Sequence, residues 1–180
     1  GNVTGTIRFN PDLVYESVTD IVGNTYKTIK IGSQVWMAEN LMTSKLNDGT
    51  DIPLILNDTE WGNLSTPGYC YYLNDASKYK NAYGALYNWY TVETDKLCPT
   101  GWHVPGIEEW TTLTSYLGGW SDASGQLRET GTTHWTTTRA AVNNQSGFTA
   151  LPGGSHDGEI NDHYLDLDLF YELGYAACFW

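Results

Sequence analysis

The chain has 180 residues and a formal net charge of −12, which suits about one domain and excludes a nucleic-acid backbone as partner. No apolar run approaches the roughly 18 residues of a membrane span. The start lacks a signal-peptide pattern, so the chain reads as mature or trimmed.

Aromatic residues make up 14%, with eight Trp and thirteen Tyr against four Phe, and 19 glycines supply turns. That mixture suits a turn-rich β fold and also a recognition surface, because Trp and Tyr bury large areas while keeping a polar handle. Few lysines and many Thr, Ser, Asn and Tyr point to a secreted or surface-exposed protein. Cys70, Cys98 and Cys178 lack metal-ligand spacing and allow at most one intrachain bridge.

Residues 1–17 contain one alternating run, Val3-Thr-Gly-Thr-Ile-Arg-Phe9, then the turn signal Asn10-Pro11. They read as a leading strand or linker, with the domain proper at 18–180. Ser17-Val-Thr-Asp-Ile-Val22, Thr25-Tyr-Lys-Thr-Ile-Lys-Ile31 and Gln34-Val-Trp-Met37 are β-type runs. Gly23-Asn24 and Gly32-Ser33 between them predict two-residue hairpin loops and an antiparallel meander. Residues 43–80 read mostly as loop. A helix is expected from Asn81 to about Val92, where Tyr83, Leu86, Tyr87 and Tyr90 fall at helical spacing.

The thirteen-residue stretch that opens at Cys98-Pro-Thr-Gly and closes at Glu109-Trp110 organises the rest. Its prolines and glycines fix turns. Pro105-Gly106 then opens a helix with Ile107, Trp110, Leu113 and Leu117 on one face, which Gly118-Gly119 ends. Trp36, Trp89, Trp102 and Trp110 are expected to be core anchors joining the meander to both helices. Residues 120–146 are polar and rich in Thr and Trp. Gly147-Phe-Thr-Ala-Leu-Pro-Gly-Gly154 predicts a short strand, and Gly174-Tyr-Ala-Ala-Cys-Phe-Trp180 another β-type run.

A series of motifs in order carries a family resemblance. The run from Asp20 through Gly23-Asn-Thr-Tyr to Leu41 resembles the opening of the Fibrobacter succinogenes major paralogous domain. Tyr69-Cys-Tyr, Tyr83-Gly-Ala-Leu-Tyr-Asn-Trp89, Cys98-Pro-Thr-Gly-Trp-His-Val-Pro105, Gly147-Phe-Thr-Ala-Leu-Pro-Gly-Gly154 and Tyr175-Ala-Ala-Cys-Phe-Trp180 follow in that family's order. The resemblance implies an α+β, C-type-lectin-like fold, with small antiparallel sheets, two helices, long ordered loops and a loop-rich binding face. It also implies surface or secreted proteins of Bacteroidetes and relatives, and kinship with the variable proteins of diversity-generating retroelements. Such families run on through Ser-Ser-Thr to a closing strand with a cysteine, whereas this chain stops at Trp180. On that comparison Cys98 lacks its usual partner and Cys70 is a free, buried thiol.

The candidate functional stretch is residues 155–173. It holds Asp157, Glu159, Asp162, Asp166, Asp168 and Glu172, and no Lys or Arg occurs after Arg139. Alternation in Leu165-Asp-Leu-Asp-Leu169 would put Asp166 and Asp168 on one strand face, which a plain solvated edge strand would also do. A Ca²⁺ site is one alternative, but the spacing does not fit a dedicated calcium loop, and no metal is expected. An acid–base site of His156 or His163 with a neighbouring Asp is another, on a formylglycine-generating-type fold; no enzyme activity and no cofactor are expected.

The third alternative is a binding surface of variable sequence. Every residue from Asn161 to Tyr171 can be written by an Asn codon whose adenines have been substituted, and adenine-directed mutagenesis is what such retroelements do. The candidate ligand-binding residues are therefore Asn161, Asp162, His163, Tyr164, Asp166, Asp168, Phe170 and Tyr171. They are expected to be exposed, between a buried Phe148, Leu151, Phe179 and Trp180. The ligand would be a protein or glycan on a cell or phage-host surface. A structural or adhesive tip domain of a surface appendage is the runner-up.

Overall fold

The computed structural model describes residues 13–137, 141–157 and 169–180. Three strands open the chain: β1 (Tyr15–Thr19), β2 (Thr25–Ile31) and β3 (Gln34–Met37), paired antiparallel in the order β1-β2-β3. The meander is as the alternation predicts, and β1 runs across residues 17 and 18, where the sequence reading divides linker from domain. The Gly32-Ser33 loop has two residues, with Ile31 paired to Gln34. The first loop is longer than expected, because Asp20 organises it. Its carboxylate, 6% exposed, accepts from the Val22 and Asn24 amides and from the Tyr26 hydroxyl. A buried carboxylate must be hydrogen-bonded, and that requirement sets the loop at residues 20–24. Burial, then the Asp20 carboxylate, push the Tyr26 hydroxyl well above the usual phenol range.

β2 buries different faces along its length. Tyr26 and Thr28 lie on one side, Ile29 and Ile31 on the other. Ile29 pairs with Trp36, and that face meets the helix after the Pro-rich turn.

The middle of the chain is more structured than a loop. α1 (Asp58–Gly62) is capped by Asn57, β4 (Tyr69–Cys70) leads into a 3-10 turn (Tyr72–Asn74), and α2 (Ala76–Tyr83) follows. The expected helix at 81–92 is instead the end of α2, strand β5 (Leu86–Tyr87) and a single turn α3 (Trp89–Val92). Gly84 is the cause. Its φ is +70°, a Cβ there would come within 2.5 Å of the Leu41 carbonyl oxygen, and the next amide, Ala85, donates to that oxygen. Only glycine suits that backbone, and the chain leaves the helix. β5 then pairs with β4, Tyr87 opposite Tyr69. Asn88 caps α3 and puts Trp89 at its outer start, 52% exposed, against the expectation of a core anchor.

α4 (Ile107–Tyr116) begins as expected, with Glu108 and Glu109 in its first turn. The Glu109 carboxylate accepts from the Gly106 amide and contacts His103 at 2.5 Å, both of which hold it below the usual carboxylate range. Ile107 faces solvent, Trp110 is half-buried, and Leu113 is fully buried. α5 (Trp120–Leu127) was not expected; its inward residues are small, Ala123 and Gly125. Residues 147–154 form one parallel bridge, Arg128 to Ala150, rather than a strand, and no strand lies in 174–180. The last sheet pairs β6 (Ser155–His156) with β7 (Phe170–Tyr171).

Three buried clusters result. Ile29, Ile31, Trp36, Leu113, Leu117 and Phe148 bind the meander to α4 and α5. β4 separates the other two by alternation: Tyr69 and Tyr71 join Tyr87, Val92 and Leu97, while Cys70 and Tyr72 join Trp61, Tyr79 and Phe170. The architecture is α+β with small antiparallel sheets. Among the described residues, no helix is long and apolar enough to cross a membrane.

Candidate functional site

Of the expected ligand residues, Asn161, Asp162, His163, Tyr164, Asp166 and Asp168 lie outside the described residues. What the structure describes is the pair of ends that bracket them. Ser155 pairs with Tyr171 and His156 with Phe170, and the Asp157 amide donates to the Leu169 carbonyl at 2.9 Å. This stem is two residue pairs long, too short to stand by hydrogen bonds alone. Side chains hold it to the body.

His156 is the principal anchor. Its side chain is 1% exposed. Its ring stacks on Phe170 with centroids 3.9 Å apart and planes 7° off parallel, and on Trp61 at 4.9 Å on the other face. Nδ1 lies 3.4 Å from the Cys70 thiol and Nε2 lies 3.3 Å from Asp58 Oδ1. Burial lowers its pKa from the ordinary value, outweighing the opposite pull of the Asp58 and Asp157 carboxylates. Cys70 is buried with no exposure, and desolvation, aided by the Asp58 charge, pushes its thiol up to about 12. Gly154, at φ +65°, precedes the stem; a Cβ there would run into the Tyr171 carbonyl.

Phe170 therefore corrects the sequence reading. It is 8% exposed and packs between His156 and Tyr72, whose ring centroid is 5.3 Å away, so its surface is spent on the body. Tyr171 is half-buried. Of the flanking residues expected inside, Phe148 is buried, Leu151 is half-buried, and Phe179 and Trp180 are 46% and 51% exposed. The last two lie on the rim of a groove of about 720 Å³, lined by Trp36, Trp102, Trp110 and Phe148 among others. Trp180 nevertheless is fixed: its indole N–H donates to the Tyr87 carbonyl, and its ring lies 5.7 Å from Trp89.

The acid–base pairing weighed from sequence joined His156 to a neighbouring Asp. In the fold, among the described residues, the carboxylate within ion-pair distance of His156 is Asp58, almost a hundred positions away, with Cys70 on the other ring nitrogen. The order Cys–His–Asp has the look of a nucleophile with its base. A thiol held protonated and sealed from solvent is instead a hydrogen-bond donor. Among the described residues no group of three His, Cys, Asp or Glu side chains could hold a metal ion. The role of His156 as an anchor carried no sequence signal, because its partners come from α1, β4 and β7. The exposure of Trp89 did carry one: the residue follows Asn88, a good cap.

No curated protein and no solved structure matches the chain. The Fibrobacter succinogenes major domain model matches residues 29–180, most of the chain including α4, the groove and the stem, and the protein belongs to that family.

Proposed function

We propose that the protein is a ligand-binding module of C-type-lectin-like architecture, displayed outside the cell, that engages a protein or glycan through the segment joining β6 to β7. The observation that carries the reading is the stem. Both ends of the segment are fixed to the body: Phe170 lies in a buried aromatic cluster, His156 stacks between Phe170 and Trp61, and Gly154 fits against the Tyr171 carbonyl. A rigid scaffold bearing Asp, His, Tyr and Asn at adjustable positions is how adaptable binding surfaces are built. That every residue from 161 to 171 can be written by a substituted Asn codon supports diversification by a retroelement, with Phe170 a framework position.

The test replaces Asp162, His163, Tyr164, Asp166 and Asp168 together by Ser, leaving Phe170 and Tyr171. Wild type and variant are probed on a glycan array and on intact host-surface preparations. Loss of binding with a melting temperature changed by only a few degrees is expected, since exposed substitutions usually cost within about 0.5 kcal/mol each. Retained binding would overturn the reading. An adenine-rich near-copy of the coding DNA beside a reverse transcriptase gene is the genomic counterpart.

A specific observation favours a second reading, an adhesive domain whose contacts lie in the groove. Trp89, Phe179 and Trp180 are exposed large apolar residues at or near its rim. Trp180→Ala would abolish binding under that reading and leave it intact under the first.

A further inference from the structure

We infer that His156 is an acid-sensitive anchor: charging its imidazole in mildly acidic solution unseats the β6–β7 stem from the pocket formed by Trp61, Cys70 and Asp58. Hydrogen-bond logic at the two ring nitrogens is the basis. Asp58 Oδ1 lies 3.3 Å from Nε2 without completing a hydrogen bond to it, and its negative charge favours the tautomer with the proton on Nε2. Nδ1 is then an acceptor, and the Cys70 thiol, held protonated, donates to it across 3.4 Å. A second proton on the ring must go to Nδ1. There its N–H meets only the weakly accepting sulfur of Cys70, in a side chain 1% exposed to water.

The remaining surroundings are apolar faces. Trp61 covers one side of the ring and Phe170 the other; Tyr72 and Tyr79 complete the cluster with phenol rings. Among the described residues, the charged groups facing His156 are Asp58 from α1 and Asp157 just after its own strand. Asp58 is 43% exposed, so solvent screens what it returns to a buried cation. The aromatic faces attract a cation as well. Burial is the larger effect, and it lowers the titration point.

The sign follows by linkage. The unfolded chain takes up a proton near pH 6.5, before the folded stem does. The stem's stability is complete above that pH and falls as the solution is acidified through the lowered folded value. Two of the three elements around His156 lie in the body, and the third, β7, is the other half of the stem. Loss of the anchor thus separates stem from body while the distant meander keeps its own core. The consequence for ligand binding rests on the function proposed above; the titration itself does not.

The experiment is an NMR titration of the whole chain, following the His156 ring protons, with amide exchange measured at pH 7 and pH 5 and corrected for intrinsic rates. A midpoint below 6.5 is expected. The Asp157 amide should lose protection relative to the Ile29 amide by roughly tenfold for each pH unit between the ordinary and lowered midpoints. His156→Phe keeps the stacking and removes the proton, so this differential loss should vanish. Should that variant fail to fold, Cys70→Ala removes the thiol that donates to the neutral ring, and the differential loss should shrink. A midpoint at or above 6.5, or an unchanged differential loss in the variant that folds, overturns the anchor. Neither result bears on the five-site binding test, so the two ideas fail separately.

Discussion

The β1–β2–β3 meander and the β6–β7 stem are both antiparallel hairpins, held by opposite means. In the meander, strand β2 has seven residues, pairs on both edges, and lays Ile29 and Ile31 on a helix face. Its order is repeated along the strand, so no single side chain decides it. The stem has two residue pairs and depends on what its few side chains meet: a stacked imidazole, a phenyl ring and a glycine that tolerates a carbonyl at its Cα. A periodic element spreads its stability over many small contacts, whereas a short one concentrates it in a few. Where one of the few is a titratable ring, stability becomes conditional on pH.

The largest expected effect lies on the meander side. Leu113→Ala empties a fully buried site between α4 and the sheet, and should cost about 3–5 kcal/mol, lowering the melting temperature by roughly 10 °C. A loss below about 1 kcal/mol would remove this cluster as the main core. Gly154→Ala comes next and strikes the stem. Positive φ and contact with the Tyr171 carbonyl together should cost about 2–3 kcal/mol, read first as lost amide protection at Asp157. Equal loss at Ile29 would show that the two hairpins unfold as one. Trp110→Ala should cost about 2 kcal/mol, less than a fully buried tryptophan, because its ring is half-open at the groove while packing 4.8 Å from Trp36. Calorimetry distinguishes that from an indifferent surface site.

The same contrast explains what could be read from the sequence. The β2 and β3 runs and α4 were legible because period 2 and period 3.6 are local signals, ended by Gly32-Ser33 and Gly118-Gly119. The helix expected at 81–92 had good spacing but ignored Gly84, whose conformation is set by Leu41 across the fold. α5 buries Ala123 and Gly125 and so shows no apolar stripe to find. A two-residue strand has no period at all, which left β6 and β7 invisible and Phe170 assigned to the wrong side. His156 was noticed as a histidine beside an aspartate; its actual partners are brought in by α1 and β4.

The smallest effect sharpens the comparison most, because it reaches the stem without touching it. Asn57 caps α1, its side-chain oxygen accepting from the Glu60 amide at 2.9 Å. α1 has only five residues and carries both Asp58 and Trp61, two of the groups that hold His156. Asn57→Ala removes the cap and should cost about 1 kcal/mol, near 3 °C in melting temperature. The meander's buried cluster is separate from the one that holds α1's Trp61, so its exchange should follow only the global change. Loosened α1 should raise exchange at Asp157 by roughly fivefold, the population change that 1 kcal/mol implies. Asn57→Asp keeps an accepting oxygen at the same place and should restore both values. If exchange in β2 and in the stem rises by one common factor, the chain opens as a single unit, and the stem has no separate stability for acid to remove.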